Sequence, residues 1–201
     1  MRIVVQEFIT LDGVIQAPGG SDEDLEEGFE HGGWQWEHDD DGLIADWESR
    51  TEALLLGRKT YEIWAGAWGV WPEDADGLMG EFTRRYNRVP KYVASRTLTE
   101  VGWKNSHLLG ADLPAAVQEL RDQTGEGEVR VWGSADLVRT LAEHDLVDEY
   151  RLMTYPIVLG TGKKLFPEGF PLTRFALAES RVVGGGVIVG IYRRAGELSP
   201  S

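Results

Sequence analysis

The sequence predicts an α/β fold whose central sheet is mixed but mainly parallel, with helices on both faces. In the first part of the chain, strand-like and helix-like runs alternate, which is the pattern of parallel strands joined by crossover helices. Near the end, residues 147–159, 174–183 and 187–193 are strand-like with no helical pattern between them. We therefore expect the last strands to pair antiparallel at one edge of the sheet.

The first elements follow from residue spacing. Residues 3–9 are rich in β-branched side chains and predict a strand that ends at 11–13, where a glycine permits a sharp turn. The next thirty residues contain several glycines and predict a long irregular excursion of the kind that is usually functional. Residues 42–52 show helical spacing, and 53–56 predict a strand buried on both faces, which Gly57 ends.

The later elements continue the alternation. Apolar residues between 78 and 86 predict a helix, and residues 91–94 predict the strand after it. Asp112 is placed to cap a further helix, residues 129–132 predict the next strand, and a helix opens after Gly133 and Ser134. The three glycines at 184–186 predict a hairpin turn between the last two strands.

Length and composition limit the classes of function. The chain has 201 residues and no linker-like stretch, which predicts one domain over 1–195 and a flexible tail over 196–201. It has no cysteine, so disulfides and thiolate chemistry are excluded. No signal peptide or membrane-length apolar run is present, so we expect a cytoplasmic protein without a membrane partner. The net charge of −14 disfavours nucleic acid, and the acidic stretch 21–52 is interpreted as a solvated face.

Three turns have the chemistry of a phosphate site. Residues 57–60, Gly-Arg-Lys-Thr, combine a helix start with two cations and a hydroxyl, which together suit an anion. Ser95 and Arg96 follow the strand 91–94, and the small residues 133–135 follow the strand 129–132. Open α/β sheets bind ligands at the carboxyl ends of their strands. The sequence therefore predicts that the three turns meet in one crevice that grips the phosphates of a dinucleotide.

Taken in order, these motifs resemble the bacterial dihydrofolate-reductase-like family, which includes the reductase domain of the bifunctional riboflavin-biosynthesis deaminase/reductase. The resemblance runs from residue 1 to about 193 and is carried by Leu11-Asp12-Gly13-Val14-Ile15, residues 55–62, Ser95-Arg96-Thr97-Leu98, residues 132–135 and residues 160–166. It implies a dihydrofolate-reductase-like three-layer fold and an NADPH-dependent reductase. The hydride would pass to a small pterin- or pyrimidine-like heterocycle, and the sequence leaves the choice of substrate open.

The resemblance also implies a cofactor site. The residues that it assigns to NADPH are Gly57, Arg58, Lys59 and Thr60 at the phosphates, Ser95 and Arg96 near the adenosine 2′-phosphate, Gly133, Ser134, Ala135 and Asp136 at the pyrophosphate turn, and Val14 and Ile15 near the nicotinamide. Paired basic residues near the ribose account for NADP rather than NAD, since the additional phosphate requires a cation. No metal site is predicted, because no two of the four histidines fall on one helix face.

Reduction of a C=N bond needs a proton delivered to nitrogen. The resemblance places Asp41 at the position of the substrate-binding carboxylate, with Thr154 sharing its hydrogen bond. Asp39 and Asp40 are alternatives, and all three acids also suit solvated helix caps. Four aromatic residues could stack on a flat substrate or pack in the core, namely Trp34, Trp36, Trp64 and Tyr155. The insertion 17–36 departs from dihydrofolate reductases and is expected to border the pocket.

Two other readings stay open on sequence alone. Residues 37–48 match several places of an EF-hand loop, which would make this a calcium-binding module. A protein that holds a nucleotide without catalysis would show the same phosphate turns. The riboflavin-pathway relatives imply a homodimer.

Overall fold

The strands of the computed structural model, which describes residues 1–35, 42–123, 125 and 127–195, form one eight-stranded sheet. They are β1 (Arg2–Thr10), β2 (Thr51–Gly57), β3 (Lys91–Ala94), β4 (Ser106–Leu108), β5 (Glu128–Trp132), β6 (Glu149–Tyr155), β7 (Phe175–Val182) and β8 (Ile188–Arg194). Their order is β4-β3-β2-β5-β1-β6-β8-β7, and the pairs from β4 to β6 are all parallel. β8 runs antiparallel to both β6 and β7, so the predicted fold class and its antiparallel edge are confirmed.

Helices cover both faces of the sheet. They are α1 (Leu43–Ser49), α2 (Arg58–Ala67), α3 (Gly77–Arg88), α4 (Leu113–Asp122) and α5 (Ala135–Glu143). On one face, Val117 of α4 and Leu137 of α5 pack with Val5 and Val131 of the central strands. The opposite face carries α1, α2 and α3. The connections from β1 to β3 run along the sheet towards β4, and those from β4 to β6 run back towards β6, so right-handed crossovers place the two groups of helices on opposite faces. The longest described helix has 12 residues, so none of the described helices reaches across a bilayer.

The structure differs from the sequence prediction at two elements. The helix predicted over 42–52 ends at Ser49, because Thr51 already pairs with Glu128 in the ladder between β2 and β5. Strand β4 has three residues and was not predicted, since so short a run has no periodicity to detect. The glycine hairpin is where the sequence places it, between β7 and β8. Residues 196–201, predicted as a flexible tail, lie outside the described residues.

The strand order predicts an opening at one edge of the sheet, which we call the crevice. β1 and β5 are neighbours, but the chain leaving β1 leads to α1 on one face, whereas the chain leaving β5 leads to α5 on the other. Connections that diverge in this way leave an opening outside the carboxyl ends of the two strands. The carboxyl ends of β2, β3 and β6 lie along the same edge because these strands are parallel to β1 and β5.

Candidate functional site

Two of the three predicted phosphate turns touch each other at this edge. The hydroxyl oxygens of Thr60 and Ser134 are 3.0 Å apart, which joins the start of α2 to the turn before α5. A Cβ on Gly57 would lie 2.0 Å from the Ser134 hydroxyl, and one on Gly133 would lie 2.7 Å from the Thr60 hydroxyl. Both positions therefore require glycine, because any side chain would push the two turns apart.

The third turn lies beside the first. Gly57 is paired with Ala94 in the ladder between β2 and β3, so Ser95 and Arg96 begin next to the start of α2. The Ser95 hydroxyl accepts hydrogen bonds from the backbone N–H groups of Thr97 (3.1 Å) and Leu98 (2.9 Å), and this fixes the turn. Arg96 is exposed. The three turns thus follow three adjacent strands, β3, β2 and β5, at one edge of the sheet.

Two helices begin at this edge. The first residues of α2 are Arg58, Lys59 and Thr60, and α5 begins directly after Ser134. The N-terminal N–H groups and dipole of each helix favour an anion in front of it. Arg58 is half-exposed and its guanidinium donates to Glu62 one helical turn away, at 3.1 Å. Asp136 is exposed in the first turn of α5.

Lys59 has acidic partners from the insertion. Its Nζ lies 2.9 Å from Glu26 and 3.9 Å from Asp24, while Nζ of Lys163 lies 2.6 Å from each of the same two carboxylates. We call these four residues the lysine clasp. Hydrogen bonds from Lys163 and Lys59 lower the pKa of Glu26 to about 2. The sequence predicts a solvated acidic face here, and the prediction is wrong for Asp24, which is buried and paired because two lysines from other segments reach it.

The insertion packs against the strands that border the crevice. The indole N–H of Trp34 donates to the Gln16 carbonyl (2.9 Å), and its ring meets Tyr155 edge-on with centroids 5.3 Å apart. Phe29 packs with Val14, which is fully buried. Ile15 is also buried, in the core under α4 and α5. The described part of the insertion, residues 17–35, thus contacts the end of β6 and the turn after β1.

The predicted substrate aromatics are packed against other rings. Tyr155 is 1% exposed and lies between Phe8 and Trp34. Trp64 is partly buried, and its ring centroid is 4.9 Å from that of Tyr86 and 5.9 Å from that of Trp132. Both positions match the core-packing alternative, although Tyr155 ends β6 at the crevice edge.

The predicted proton donor lies outside the described residues. This applies to Asp41, to its rivals Asp39 and Asp40, and to Trp36. Thr154, the predicted partner of Asp41, is half-buried on β6 and is paired with Ile9 of β1. It therefore lies near the carboxyl ends of the two strands, on the side of the crevice away from the phosphate turns.

The calcium-loop alternative does not agree with the position of Glu48. In an EF-hand the last loop residue binds calcium through both carboxylate oxygens. Glu48 is fully buried instead, with one oxygen accepting from the Trp132 indole (2.9 Å) and the other from the Thr51 hydroxyl (3.0 Å). Both oxygens are thus committed to the core on the inner side of α1.

Sequence reasoning missed Glu7. This residue of β1 is 4% exposed, and its Oε1 accepts a hydrogen bond of 2.6 Å from the backbone N–H of Gly133 in the phosphate turn. Burial raises the pKa of Glu7 well above its usual value; the hydrogen bond from the Gly133 N–H offsets part of this rise, and the nearby Glu23 adds to it. The sequence does contain a signal for Glu7: an acidic residue lies within the apolar run of a predicted central strand, where burial of a charge is costly.

The sequence is similar to a known family of domains and to two bacterial proteins. The sequence profile of the RibD C-terminal domain matches residues 2–189. Two uncharacterized proteins of Bacillus subtilis strain 168 are similar along most of their length. YyaP is 28% identical over 191 residues, covering 95% of this chain and 94% of that protein, and YwjB is 25% identical over 186 residues, covering 92% and 94%.

Solved structures show the same fold. A Shewanella sp. PV-4 protein assigned to riboflavin biosynthesis is 26% identical, with a TM-score of 0.68 and coverage of 98% of this chain and 100% of that one. A pyrimidine reductase-like protein from Corynebacterium diphtheriae has a TM-score of 0.63 at 12% identity, covering 98% and 92%. Dihydrofolate reductase from Enterococcus faecalis in complex with NADP(H) has a TM-score of 0.59 at 15% identity, covering 97% of both chains.

Proposed function

The chain belongs to the RibD C-terminal domain family, and from that premise we propose that it is an NADPH-dependent reductase acting on a small pyrimidine- or pterin-like heterocycle. The observation that carries the proposal is the meeting of three turns, at 57–60, 95–96 and 133–135, beside the starts of α2 and α5. A dinucleotide has several phosphates spread along its length, and this edge offers several anion-binding groups in a row.

The described residues fit such a cofactor. Gly57 and Gly133 let the two turns approach closely, and the half-exposed Arg58 and exposed Arg96 supply cations at the end of the row where a 2′-phosphate would lie. Lys59 would reach a phosphate only by exchanging its bond to Glu26 for one to the ligand. Val14 and Ile15, next to the turn after β1, are buried in two separate apolar clusters, so contact with the nicotinamide would require one of these side chains to be uncovered. Bound NADPH would supply the hydride.

The chain's own part in the reaction is binding, orientation and proton supply. We propose that the substrate enters beside Thr154 and the turn 11–15, with Asp41 holding the proton for the substrate nitrogen. Tyr155 and Trp34 already pack together at this side and would keep water from the reacting atoms. Stacking on the substrate by Tyr155 or Trp64 would require these rings to turn one face away from their present neighbours.

Nicotinamide fluorescence and absorbance test the proposal. Titration with NADPH measures binding, and the loss of nicotinamide absorbance in the presence of a ribosylaminopyrimidine or a dihydropterin measures reduction. Binding followed by oxidation with one of these substrates is the expected result. NADPH binding without oxidation by any pyrimidine or pterin would favour the non-catalytic alternative, and absence of binding would contradict the cofactor assignment.

Arg58→Ala is the sharpest variant for the phosphate assignment. Removal of a charge-assisted phosphate contact should weaken NADPH binding by about tenfold to a hundredfold and leave NADH binding nearly unchanged. The matched control is Arg139→Ala, which removes a similarly exposed arginine that pairs with Glu143 one turn along α5. Equal losses for NADPH and NADH would show that Arg58 does not contact the 2′-phosphate.

A further inference from the structure

Glu7 occupies an unusual place for an acid. In a strand, alternate residues share a face, and its neighbours on that face of β1, Val5 and Ile9, are both buried in the main core. β1 lies between β5 and β6, so the Glu7 side chain stands in the middle of the sheet. Its hydrogen bond to the Gly133 N–H crosses from β1 to the turn after β5, at the mouth of the crevice between these two strands.

The turn that Glu7 holds has a demanding backbone. Gly133 has φ of +58° and Ser134 has φ of +65°, so two successive residues are left-handed and the second is not glycine. Such a conformation costs energy and persists only where its surroundings fix it. Two contacts do so here: the Thr60 hydroxyl meets the Ser134 side chain, and the Glu7 carboxyl accepts from the Gly133 N–H.

The charges around Glu7 favour its neutral form. Glu23 of the insertion is the acid that acts on it, and burial also raises the pKa of Glu23, whose Oε2 accepts from the Gly19 N–H at 2.6 Å. Of the other charged groups at this edge, Lys59 and Lys163 are paired with Asp24 and Glu26, and Arg58 is paired with Glu62. Arg96 and Asp136 are exposed, so solvent and salt screen their charges. A carboxylic acid accepts an N–H bond through its carbonyl oxygen without carrying charge. An ionised Glu7 would instead repel a phosphate bound at the same turn.

We propose that Glu7 is a positioning residue which, as an uncharged carboxylic acid, holds the Gly133–Ser134 turn in the shape that receives the phosphates of a dinucleotide. The phosphate part of this inference rests on the proposed function. The positioning part depends only on contacts within the chain, and so the two parts are tested separately.

Hydrogen exchange without cofactor tests the positioning. Glu7→Ala should speed exchange of the Gly133 backbone amide, which donates to Glu7, by about tenfold, since the net value of one such hydrogen bond is about 1.4 kcal/mol. Glu7→Gln keeps a carbonyl oxygen in the same place and should restore slow exchange. Glu30→Gln, an exposed carboxyl of the insertion, serves as the control. Unchanged exchange in Glu7→Ala, or no rescue by Gln, would overturn the positioning role.

NADPH affinity as a function of pH tests the neutral acid. As pH rises through the titration of Glu7, a charge forms beside the phosphates, and the affinity of the wild-type chain should fall about tenfold. Glu7→Gln should bind as tightly as the wild type at low pH and lose this dependence. Glu23→Gln removes a neighbouring negative charge, which lowers the pKa of Glu7, so the fall should begin at lower pH.

The outcomes separate the two hypotheses. If Glu7→Gln keeps the same pH dependence as the wild type, Glu7 is not the titrating group and the neutral-acid inference is wrong. If the wild type binds no NADPH at any pH, the proposed function fails, while exchange of the Gly133 amide still decides whether Glu7 holds the turn.

Discussion

Arg130 and Arg151 are buried between the sheet and α1, where an unpaired cation would be strongly destabilising. Arg130 donates to the Gln6 side chain (2.7 Å), the Trp47 carbonyl (2.9 Å) and Glu128. Arg151 donates to the same Glu128 and to Glu149. Arg130, Glu128, Arg151 and Glu149 thus form a buried row in which each charge has an opposite charge beside it. Removal of one member leaves its neighbours uncompensated.

Arg130→Ala should therefore be severely destabilising. We expect the free energy of unfolding to fall by about 3–5 kcal/mol, the usual loss when one partner of a buried ion pair is removed. Urea denaturation followed by tryptophan fluorescence measures this. Arg139→Ala, which removes an exposed pair on α5, should cost less than about 1 kcal/mol. Similar midpoints for the two variants would mean that the buried row adds nothing to stability.

At the scale of residues, glycines and turn cations were predictable but buried acids were not. Gly57 ends β2, and Arg58 and Gly133 directly follow β2 and β5, so their place at the crevice could be predicted from local order. Glu7 and Glu128 lie inside strands, where the sequence does not reveal whether a face is solvated or covered. Their role depends on Gly133 and Arg151, which are far away along the chain.

Polar contacts hold the insertion to the sheet in addition to the packing of Phe29 and Trp34. Gln16 connects the insertion to the segment after β6. The Gln16 side-chain amide donates to the backbone carbonyls of Asp24 (3.1 Å) and Glu26 (3.2 Å), and its oxygen accepts from the backbone N–H of Lys163 (3.0 Å). The lysine clasp adds ion pairs to α2 and to the segment after β6. A loop attached through ion pairs is more sensitive to salt and acid than one attached through a core.

Lys163→Gln should loosen the insertion. It removes the bonds to Asp24 and Glu26, so limited proteolysis within residues 17–35 should become several-fold faster while the rest of the chain stays protected. Lys164→Gln is the matched control, since Lys164 is the exposed neighbour in sequence. Equal cleavage of the two variants would show that the lysine clasp does not hold the insertion.

Acid should have the same effect through Glu26. Its pKa is lowered from 4.5 to about 2, so its ion pairs stabilise the attachment above pH 4.5 and are lost as pH falls from there towards 2. The proteolysis of the wild type should therefore approach that of Lys163→Gln over this range, as read with an acid-active protease.

At the scale of elements, hydrophobic periodicity predicted the helices and strands but not the conformation of the insertion. Among the described residues, the five α-helices and seven of the eight strands follow from apolar spacing and strand-ending glycines. The insertion was predicted only as irregular, because its shape depends on Lys59 and Lys163, which belong to other elements. No spacing rule within residues 17–35 could have shown that two of its acids would be paired rather than solvated.

The sheet is unevenly covered across the whole molecule. Its β4-to-β6 part carries the helices, whereas β7 is exposed along nearly all its length. Leu177, Val182 and Ile188 are 58%, 69% and 49% exposed at this end. An exposed edge strand with apolar side chains is a template for pairing with another chain.

We propose that a second copy of this chain covers β7, giving a homodimer. Two β7 strands paired antiparallel about Ser180 would place Glu179 opposite Arg181 of the partner subunit, and the reverse, so the strand is complementary to itself in charge. Arg181→Glu would put like charges opposite each other and should weaken association by about tenfold or more. The double variant Glu179→Arg with Arg181→Glu should restore it.

Light scattering during gel filtration measures the outcome at several protein concentrations. Arg139→Glu reverses an exposed charge on α5, outside the proposed β7 pairing, and should leave the mass unchanged. A wild-type monomer at all concentrations would contradict the homodimer. A dimer that Arg181→Glu does not weaken would place the interface on another surface, because only pairing through β7 brings Arg181 against Glu179 of the partner subunit.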